Sequence, residues 1–131
     1  MINPLKIGDK KHFTRVVGEK DLAEFEAGLV HAFYATFALT RDAEWASRLF
    51  VLEMKEEDEE GIGTYIHIDH LSPAFLGDSV VLTAILSKVE GNATHCSIEA
   101  RVGDRLIAQG KSGQKILKKT KLAAIISNLN G

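Results

Sequence analysis

Three side chains near the middle of the sequence have types and an order that suit acid–base or nucleophilic chemistry. They are Thr36, Glu44 eight residues later, and His70 at the end of a later strand-like segment. An imidazole with an ordinary pKa of about 6.5 can take up and return a proton near neutral pH. The glutamate could orient that imidazole, act as a general base on water or attack a carbonyl carbon, and the threonine could be a nucleophile or a hydrogen-bond donor. The sequence leaves the roles of Thr36 and Glu44 open.

Each of these residues also has an ordinary structural interpretation. A threonine near a helix start commonly caps the helix. Glu44 precedes Arg48 by four residues, which is the spacing and order of a stabilising ion pair on a helix. A single histidine near a strand end is commonly a surface residue. The three types in this order, followed by the turn sequence HLSPAFLGD from His70 to Asp78, nevertheless favour a site.

One long helix must position two of the three residues. The segment Ala35 to Met54 is the longest with helical apolar spacing, and neither Gly nor Pro interrupts it. Glu44 borders an apolar face, and a second apolar stripe runs down the opposite side. The first face comprises Leu39, Ala43, Ala46, Phe50 and Met54, and the second Ala38, Trp45, Leu49 and Leu52. A helix with two apolar faces is predicted to be buried on two sides, by its own sheet and by a second layer such as a second copy of the chain.

The segments before this helix and directly after it are less regular. Residues 1–11 are predicted to be irregular, and His12 to Val17 has the composition of a strand. Glu19 to Tyr34 has apolar residues at three- and four-residue steps, which predicts a helix interrupted near Gly28. The acidic run Lys55 to Glu60 is predicted to be a solvated loop.

From residue 61 onward the apolar period becomes two, which indicates antiparallel strands joined largely by tight turns. The strands are predicted at 63–71, 79–89, 93–102 and 105–117, with bulges or bends at Gly110 and Gly113. The tail 118–131 can form a terminal helix docked through Leu122, Ile125 and Ile126. A helix followed by antiparallel strands is a segregated α+β pattern. It predicts a single domain over residues 1–131 with the hotdog fold, a curved antiparallel sheet wrapped around one long central helix.

Composition argues against several function classes. With 16 Lys+Arg against 18 Asp+Glu, the net charge of −2 provides no basic field for nucleic acid. No apolar run is long enough to span a bilayer, and the N-terminus lacks the apolar core of a signal peptide. The one cysteine, Cys96, cannot form an internal disulfide, which fits a reducing cytoplasm. The sequence has no cluster of Cys and His residues of the kind that holds a structural zinc ion.

The remaining candidate side chains are assigned no role in catalysis. They are His12, His31, His67 and His95. In an alternating strand His67 and Asp69 lie on the opposite face from His70, so neither can share its site. Cys96 has no neighbours in sequence that would stabilise a thiolate, and we expect a buried small hydrophobic residue.

The residues Ala35-Thr36, Glu44, Gly63 and the His70–Asp78 turn together resemble the fluoroacetyl-CoA thioesterase-like family of hotdog proteins. That family has a threonine at the head of the central helix, a glutamate eight residues later and a histidine before an HLxP-type turn. The resemblance covers roughly residues 13–117. Phe37 stands where the family commonly has proline, and Lys111 and Lys115 replace a His/Arg pair often seen on the last strand.

The resemblance implies a homodimeric acyl-CoA thioesterase that acts on a small or short-chain acyl group and needs no cofactor beyond the CoA of its substrate. Thr36, Glu44 and His70 would be catalytic, and Gly63 with the helix N-terminal amides would bind the oxyanion or substrate. The alternatives are a hotdog protein that binds acyl-CoA without turnover, a hotdog hydratase and a structural module. The hydratase would need an Asp-x-x-x-x-His arrangement before the helix, which this sequence lacks. The polar constellation argues against the structural module.

Overall fold

A five-stranded antiparallel sheet packs against one long helix in the computed structural model, which describes residues 1–130. The strands lie in the order β1-β5-β6-β7-β4, and a separate hairpin, β2–β3, precedes the helix. The strands are β1 (Lys10–Val16), β2 (Leu22–Phe25), β3 (Gly28–Tyr34), β4 (Glu59–His70), β5 (Ser79–Glu90), β6 (Ala93–Val102) and β7 (Arg105–Lys118). The helices are α1 (Thr36–Met54) and α2 (Lys119–Asn130), with a 3-10 turn at Glu19–Asp21. The predicted α+β hotdog architecture is confirmed.

Helix α1 buries the face that its sequence predicts. Leu39, Ala43, Ala46, Phe50 and Met54 are fully buried, and all but Met54 belong to one core with the inward residues of β5 and β6. A side chain such as Phe50 contributes about 1.5–3 kcal/mol when fully buried. The second predicted stripe is mixed, because Ala38 is buried whereas Trp45 and Leu52 remain 41% and 42% exposed.

The predicted helix over Glu19 to Tyr34 is wrong. Apart from the short 3-10 turn, this segment forms the hairpin β2–β3. Gly28 has φ 110°, a conformation that a side chain would strain, and it begins the second strand directly after a turn at residues 26–27. The stretch Leu29 to Tyr34 is rich in aromatic and branched residues, so strand pairing prevails over the helical spacing of the same apolar residues.

The acidic run is also only partly a solvated loop. Strand β4 begins at Glu59, which is only 5% exposed. The Glu59 carboxylate accepts a hydrogen bond from the backbone N–H of Glu56 at 2.9 Å and lies 2.6 Å from the N-terminal ammonium. Glu60 accepts a hydrogen bond from Arg48 at 2.6 Å. The run therefore ends inside the sheet because cationic partners surround its last two carboxylates.

The chain ends in helix α2, which contains no buried residue. Ile125 and Ile126 are 40% and 58% exposed, so the predicted docking of this face does not occur within the chain.

An irregularity in β4 decides which residues of that strand face α1. Gly63 pairs with Gln114 and Tyr65 pairs with Gly113, so Thr64 is an extra residue in the ladder. The bulge places Gly63 opposite the inward-facing Gln114, although beyond it Tyr65 and His67 face outward. Ile66 and Ile68 pack against the core, and His70 ends the strand on their side.

Candidate active site

The Thr36 hydroxyl contacts the imidazole of His70. Thr36 is the first residue of α1, and the N-cap residue is Ala35, whose methyl group cannot accept a capping hydrogen bond. The threonine Oγ1 instead lies 3.0 Å from His70 Nδ1. The capping interpretation of Thr36 is therefore wrong, and the hydroxyl is free to exchange a proton with the ring.

Backbone hydrogen bonds hold the chain in place directly after His70, at the end of β4. The N–H groups of Leu71 and Ser72 both donate to the carbonyl of Ile107, at 2.8 and 3.2 Å. Nε2 of the ring is buried and, among residues 1–130, has no hydrogen-bond partner of normal geometry. Burial lowers the pKa of His70 below 6.5, the positive charge that His31 can carry lowers it further, and the backbone of Ser72 partly opposes the shift. The lowered pKa keeps the imidazole neutral, as a general base requires.

A cavity of about 280 Å³ opens at this pair. Phe33 and the turn after His70 form much of its wall, and His31 contributes a second imidazole. Its lining residues are His31, Phe33, Tyr34, Thr36, His70, Leu71, Ser72 and Pro73. His31 is assigned no role from the sequence, which predicts its segment to be a helix. The hairpin β2–β3 brings it to the cavity.

The first turn of α1 supplies hydrogen-bond donors at the same end of the helix. The first N–H that bonds within the helix belongs to Leu39 and donates to the carbonyl of Ala35 at 2.9 Å. The preceding amides of the turn have no intrahelical acceptor. Such amides, together with the helix dipole, favour a negative charge, so an oxyanion formed beside Thr36 would be stabilised.

Glu44 contacts Gly63 rather than the histidine. A Cβ placed on Gly63 would lie 2.5 Å from Glu44 Oε1, so only glycine allows the carboxylate to lie against the strand at this point. The expected ion pair between Glu44 and Arg48 is wrong, because Arg48 bonds to Glu60 and to the carbonyl of Gly61. Glu44 is exposed and lines a second cavity of about 290 Å³ with Trp45 and Gly63.

Within one chain the two pairs are separate. Eight residues of α1 place Thr36 and Glu44 about 12 Å apart along the helix axis. Seven residues of β4 place His70 and Gly63 about 23 Å apart along the strand. The chain thus brings Thr36 to His70 and Glu44 to Gly63 at two positions along the same helix–strand pair.

A buried carboxylate beside this site was not predicted from the sequence. Asp42 lies on α1 and is only 1% exposed, although a charged helix residue is ordinarily expected in solvent. It accepts hydrogen bonds from Arg15, Arg41 and the hydroxyl of Tyr34. Arg41 is its neighbour on α1, but Arg15 and Tyr34 come from β1 and β3, so only the tertiary fold reveals why a charge can be buried there.

Apart from His31, the side chains that received no role in catalysis lie away from the cavity at Thr36 and His70. His67 pairs with Asp69 at 3.1 Å on the outer face of the sheet, and His95 bonds to Tyr65. Cys96 is buried, and burial raises the pKa of its thiol to about 11 although Ser47 partly opposes this. Within residues 1–130, no group of three His, Cys, Asp or Glu side chains is arranged to hold a metal ion. None of the helices described is long and apolar enough to cross a membrane.

A family model described as the fluoroacetyl-CoA-specific thioesterase matches residues 17–120. A thioesterase superfamily member from Thermus thermophilus has a crystal structure with 36% identity and a TM-score of 0.93, covering 98% of this chain and 96% of that one. The fluoroacetyl-CoA thioesterase FlK is similar in fold, with 22% identity, a TM-score of 0.85 and coverage of 95% and 96%. A hot-dog-like protein from Thermanaerovibrio acidaminovorans has 21% identity, a TM-score of 0.87 and coverage of 95% and 93%. A search of curated proteins found no match.

Proposed function

Since the chain belongs to the fluoroacetyl-CoA-specific thioesterase family and is an acyl-CoA thioester hydrolase, we propose that it hydrolyses a small or short-chain acyl-CoA with Thr36, Glu44 and His70. The observation that carries the assignment of residues is the 3.0 Å contact between the Thr36 hydroxyl and Nδ1 of a half-buried imidazole. Structures of the similar thioesterase FlK contain acetyl-CoA, or fluoroacetate with CoA. The cavity of about 280 Å³ has ample room for an acyl group of that size.

In the proposed mechanism Thr36 is the nucleophile and His70 moves the proton. Oγ1 attacks the thioester carbonyl carbon and its proton passes to Nδ1, which is unprotonated in the neutral tautomer with hydrogen on Nε2. The first-turn amides of α1 stabilise the oxyanion. The C–S bond then breaks, the CoA sulfur takes the proton from His70, and water hydrolyses the acyl ester on Thr36 to release the acid. An acyl adduct on Thr36 in quenched single-turnover samples supports this route; direct attack by water or Glu44 would leave none.

Glu44 and Gly63 enter the same site from a second copy of the chain. Strand β4 is 12 residues long and pairs with β7 on one side only, so within residues 1–130 its other edge has no partner. Long open edges of this kind are covered in native proteins. Trp45 and Ile62 near this edge are 41% and 38% exposed, which supports a homodimer about β4 and α1.

An antiparallel pairing of β4 with its copy completes the site. The strand of one protomer then runs opposite to that of the other, so the His70 end of each strand lies against the Gly63 half of its partner. Each of the two sites receives Thr36 and His70 from one protomer and Glu44 with Gly63 from the other. The carboxylate is then placed to orient the imidazole or to activate the hydrolytic water.

The test is acyl-CoA hydrolysis by His70→Ala over a panel of short acyl groups. The variant should lose activity by about two to four orders of magnitude, as expected for an acid–base group. His67→Ala is the matched control, since His67 lies on the outer face of the same strand and should leave the rate unchanged. An unchanged rate in His70→Ala would refute the site, and tight CoA thioester binding without turnover by the unaltered protein would indicate a binding protein.

The proposed reaction requires no metal or organic cofactor, because Thr36 can supply the nucleophile, His70 can accept and return the proton, and Glu44 can orient the imidazole or activate water. Prolonged dialysis against EDTA should therefore leave the rate unchanged, and its loss and recovery with a metal would contradict the proposal. We place the enzyme in the cytoplasm, which suits the unpaired thiol of Cys96. Cell fractionation tests that placement.

A further inference from the structure

The residue before the N-cap of α1, Tyr34, ties the segment that carries Thr36 to the turn that follows His70. Its backbone N–H donates to the carbonyl of Ala74 at 2.9 Å. The next N–H, that of Ala35, donates to the carbonyl of Asp21 at 2.8 Å. Tyr34 is fully buried, so both members of the Thr36–His70 contact depend on the position of this one residue.

The Tyr34 hydroxyl is fixed in turn by the buried carboxylate of Asp42. The hydroxyl donates to Asp42 Oδ2 at 2.5 Å. Arg15 on β1 contacts both oxygens of the same carboxylate, at 3.1 and 3.0 Å, and Arg41 does so at 3.0 Å each. Arg41 also bonds to Asp21 at 2.7 Å. One carboxylate thus joins β1, α1, the 3-10 turn and the residue two positions before Thr36.

The ionisation states suit this arrangement. Burial by itself would raise the pKa of Asp42, but hydrogen bonds from the two arginines and the tyrosine outweigh it, and the pKa lies below its ordinary value. Burial, together with the hydrogen bond to the carboxylate, raises the pKa of the Tyr34 phenol, so the phenol remains a donor. The contact is a charge-assisted hydrogen bond, which is shorter and stronger than a neutral one.

Stability alone gives a poor reason for such a network. A buried ion pair costs so much desolvation that an apolar replacement of the same volume is often as stable. The directional bonds of the network do, however, fix the rotation of the Tyr34 ring and the entry of the chain into α1. We propose that Tyr34 and Asp42 are positioning residues of the hydrolase, and that their hydrogen bond sets the Thr36–His70 geometry.

The inference rests on the proposed function, in which that geometry is catalytic. Tyr34→Phe retains the ring and removes only the hydroxyl, so the packing of the core is preserved. A small displacement of a reacting group can reduce the rate up to about 100-fold, so we expect kcat to fall about 10- to 100-fold with KM unchanged. A residue that served only stability would lower the melting temperature and leave the kcat of the folded enzyme intact.

Two further variants sharpen the test. Asp42→Asn retains an oxygen acceptor for Tyr34 but loses the charge, and should lie between the unaltered protein and Tyr34→Phe in kcat. Glu53→Gln removes the exposed ion pair between Glu53 and Lys11, which also links α1 to β1, and should leave kcat unchanged. If Tyr34→Phe fails to fold, the kcat of Asp42→Asn decides the question.

A measurement that needs no turnover separates this inference from the proposed function. In ¹⁵N-histidine-labelled protein, the Nδ1 resonance of His70 reports the Thr36 contact, with Thr36→Ala as the reference for its loss. Tyr34→Phe should shift that resonance toward the Thr36→Ala position. An unshifted resonance with unchanged kcat would overturn the positioning role. If instead Thr36→Ala and His70→Ala hydrolyse acyl-CoA normally, the proposed site is wrong, and the resonance still tests the positioning.

Discussion

Two inactive variants should restore activity to each other if the site is shared between copies of the chain. His70→Ala and Glu44→Ala are each expected to be inactive as homodimers. In a mixed dimer, one site combines both defects, whereas the other combines an intact Thr36–His70 pair with an intact Glu44. A purified mixed dimer should therefore have about half the activity of the unaltered enzyme, because one of its two symmetry-related sites is whole.

The expected value for a random mixture follows from the same geometry. Co-expression of the two variants in equal amounts gives mixed dimers as half of the population, so the total activity should be about a quarter of the unaltered rate. The assay is thiol release from acetyl-CoA, measured on the random mixture and again on the mixed dimer purified through one tag on each variant. As a control, Thr36→Ala with His70→Ala should give no recovery, since both residues belong to the same half-site.

Two outcomes would refute this reasoning. No recovery in a verified mixed dimer would place the complete site within one chain, despite the axial separation of about 12 Å between Thr36 and Glu44. A protein that sediments as a stable monomer at micromolar concentration and still hydrolyses its substrate would remove the premise altogether.

Burial lowers the pKa of His70, so the neutral base persists in more acidic solution than a free histidine would allow. The acidic limb of the kcat/KM profile should therefore lie below pH 6.5, and a limb above pH 6.5 would contradict this. Gly63→Ala should displace the Glu44 carboxylate and abolish most activity, with little change in unfolding free energy because the exposed glutamate side chain can move away from the added Cβ. Chemical denaturation should show little change for Gly18→Ala, whose added Cβ would meet its nearest atom at 3.6 Å. The thiol of Cys96, with a pKa of about 11, should react with Ellman's reagent at pH 8 only after denaturation.

The apolar periodicities of the sequence were sufficient to predict the main helix and strands and the order of the candidate residues along them. Helix α1 and strands β4 to β7 follow from apolar periods of 3.6 and 2, which the core enforces. The hairpin β2–β3 was missed because Leu22, Phe25 and Leu29 also satisfy a helical spacing, and the pairing that decides between them is tertiary. Asp42 was missed for a related reason. A carboxylate on a helix is expected in solvent unless its partners are known, and here two of the three come from β1 and β3.

The spacing of Thr36 and Glu44 has a consequence for the assembly that reaches beyond either residue. Side chains on one helix contact each other at intervals of three or four residues, so an interval of eight excludes a direct contact within the helix. The bulge at Thr64 turns Gly63 towards Glu44, and the missing side chain of Gly63 makes room for the Glu44 carboxylate at the open edge of β4. This position is away from His70 of the same chain. A site built from all three residues thus needs a second copy of the chain, which the proposed dimer supplies through β4 at that edge. Loss of the dimer should abolish hydrolysis even when every catalytic residue is present.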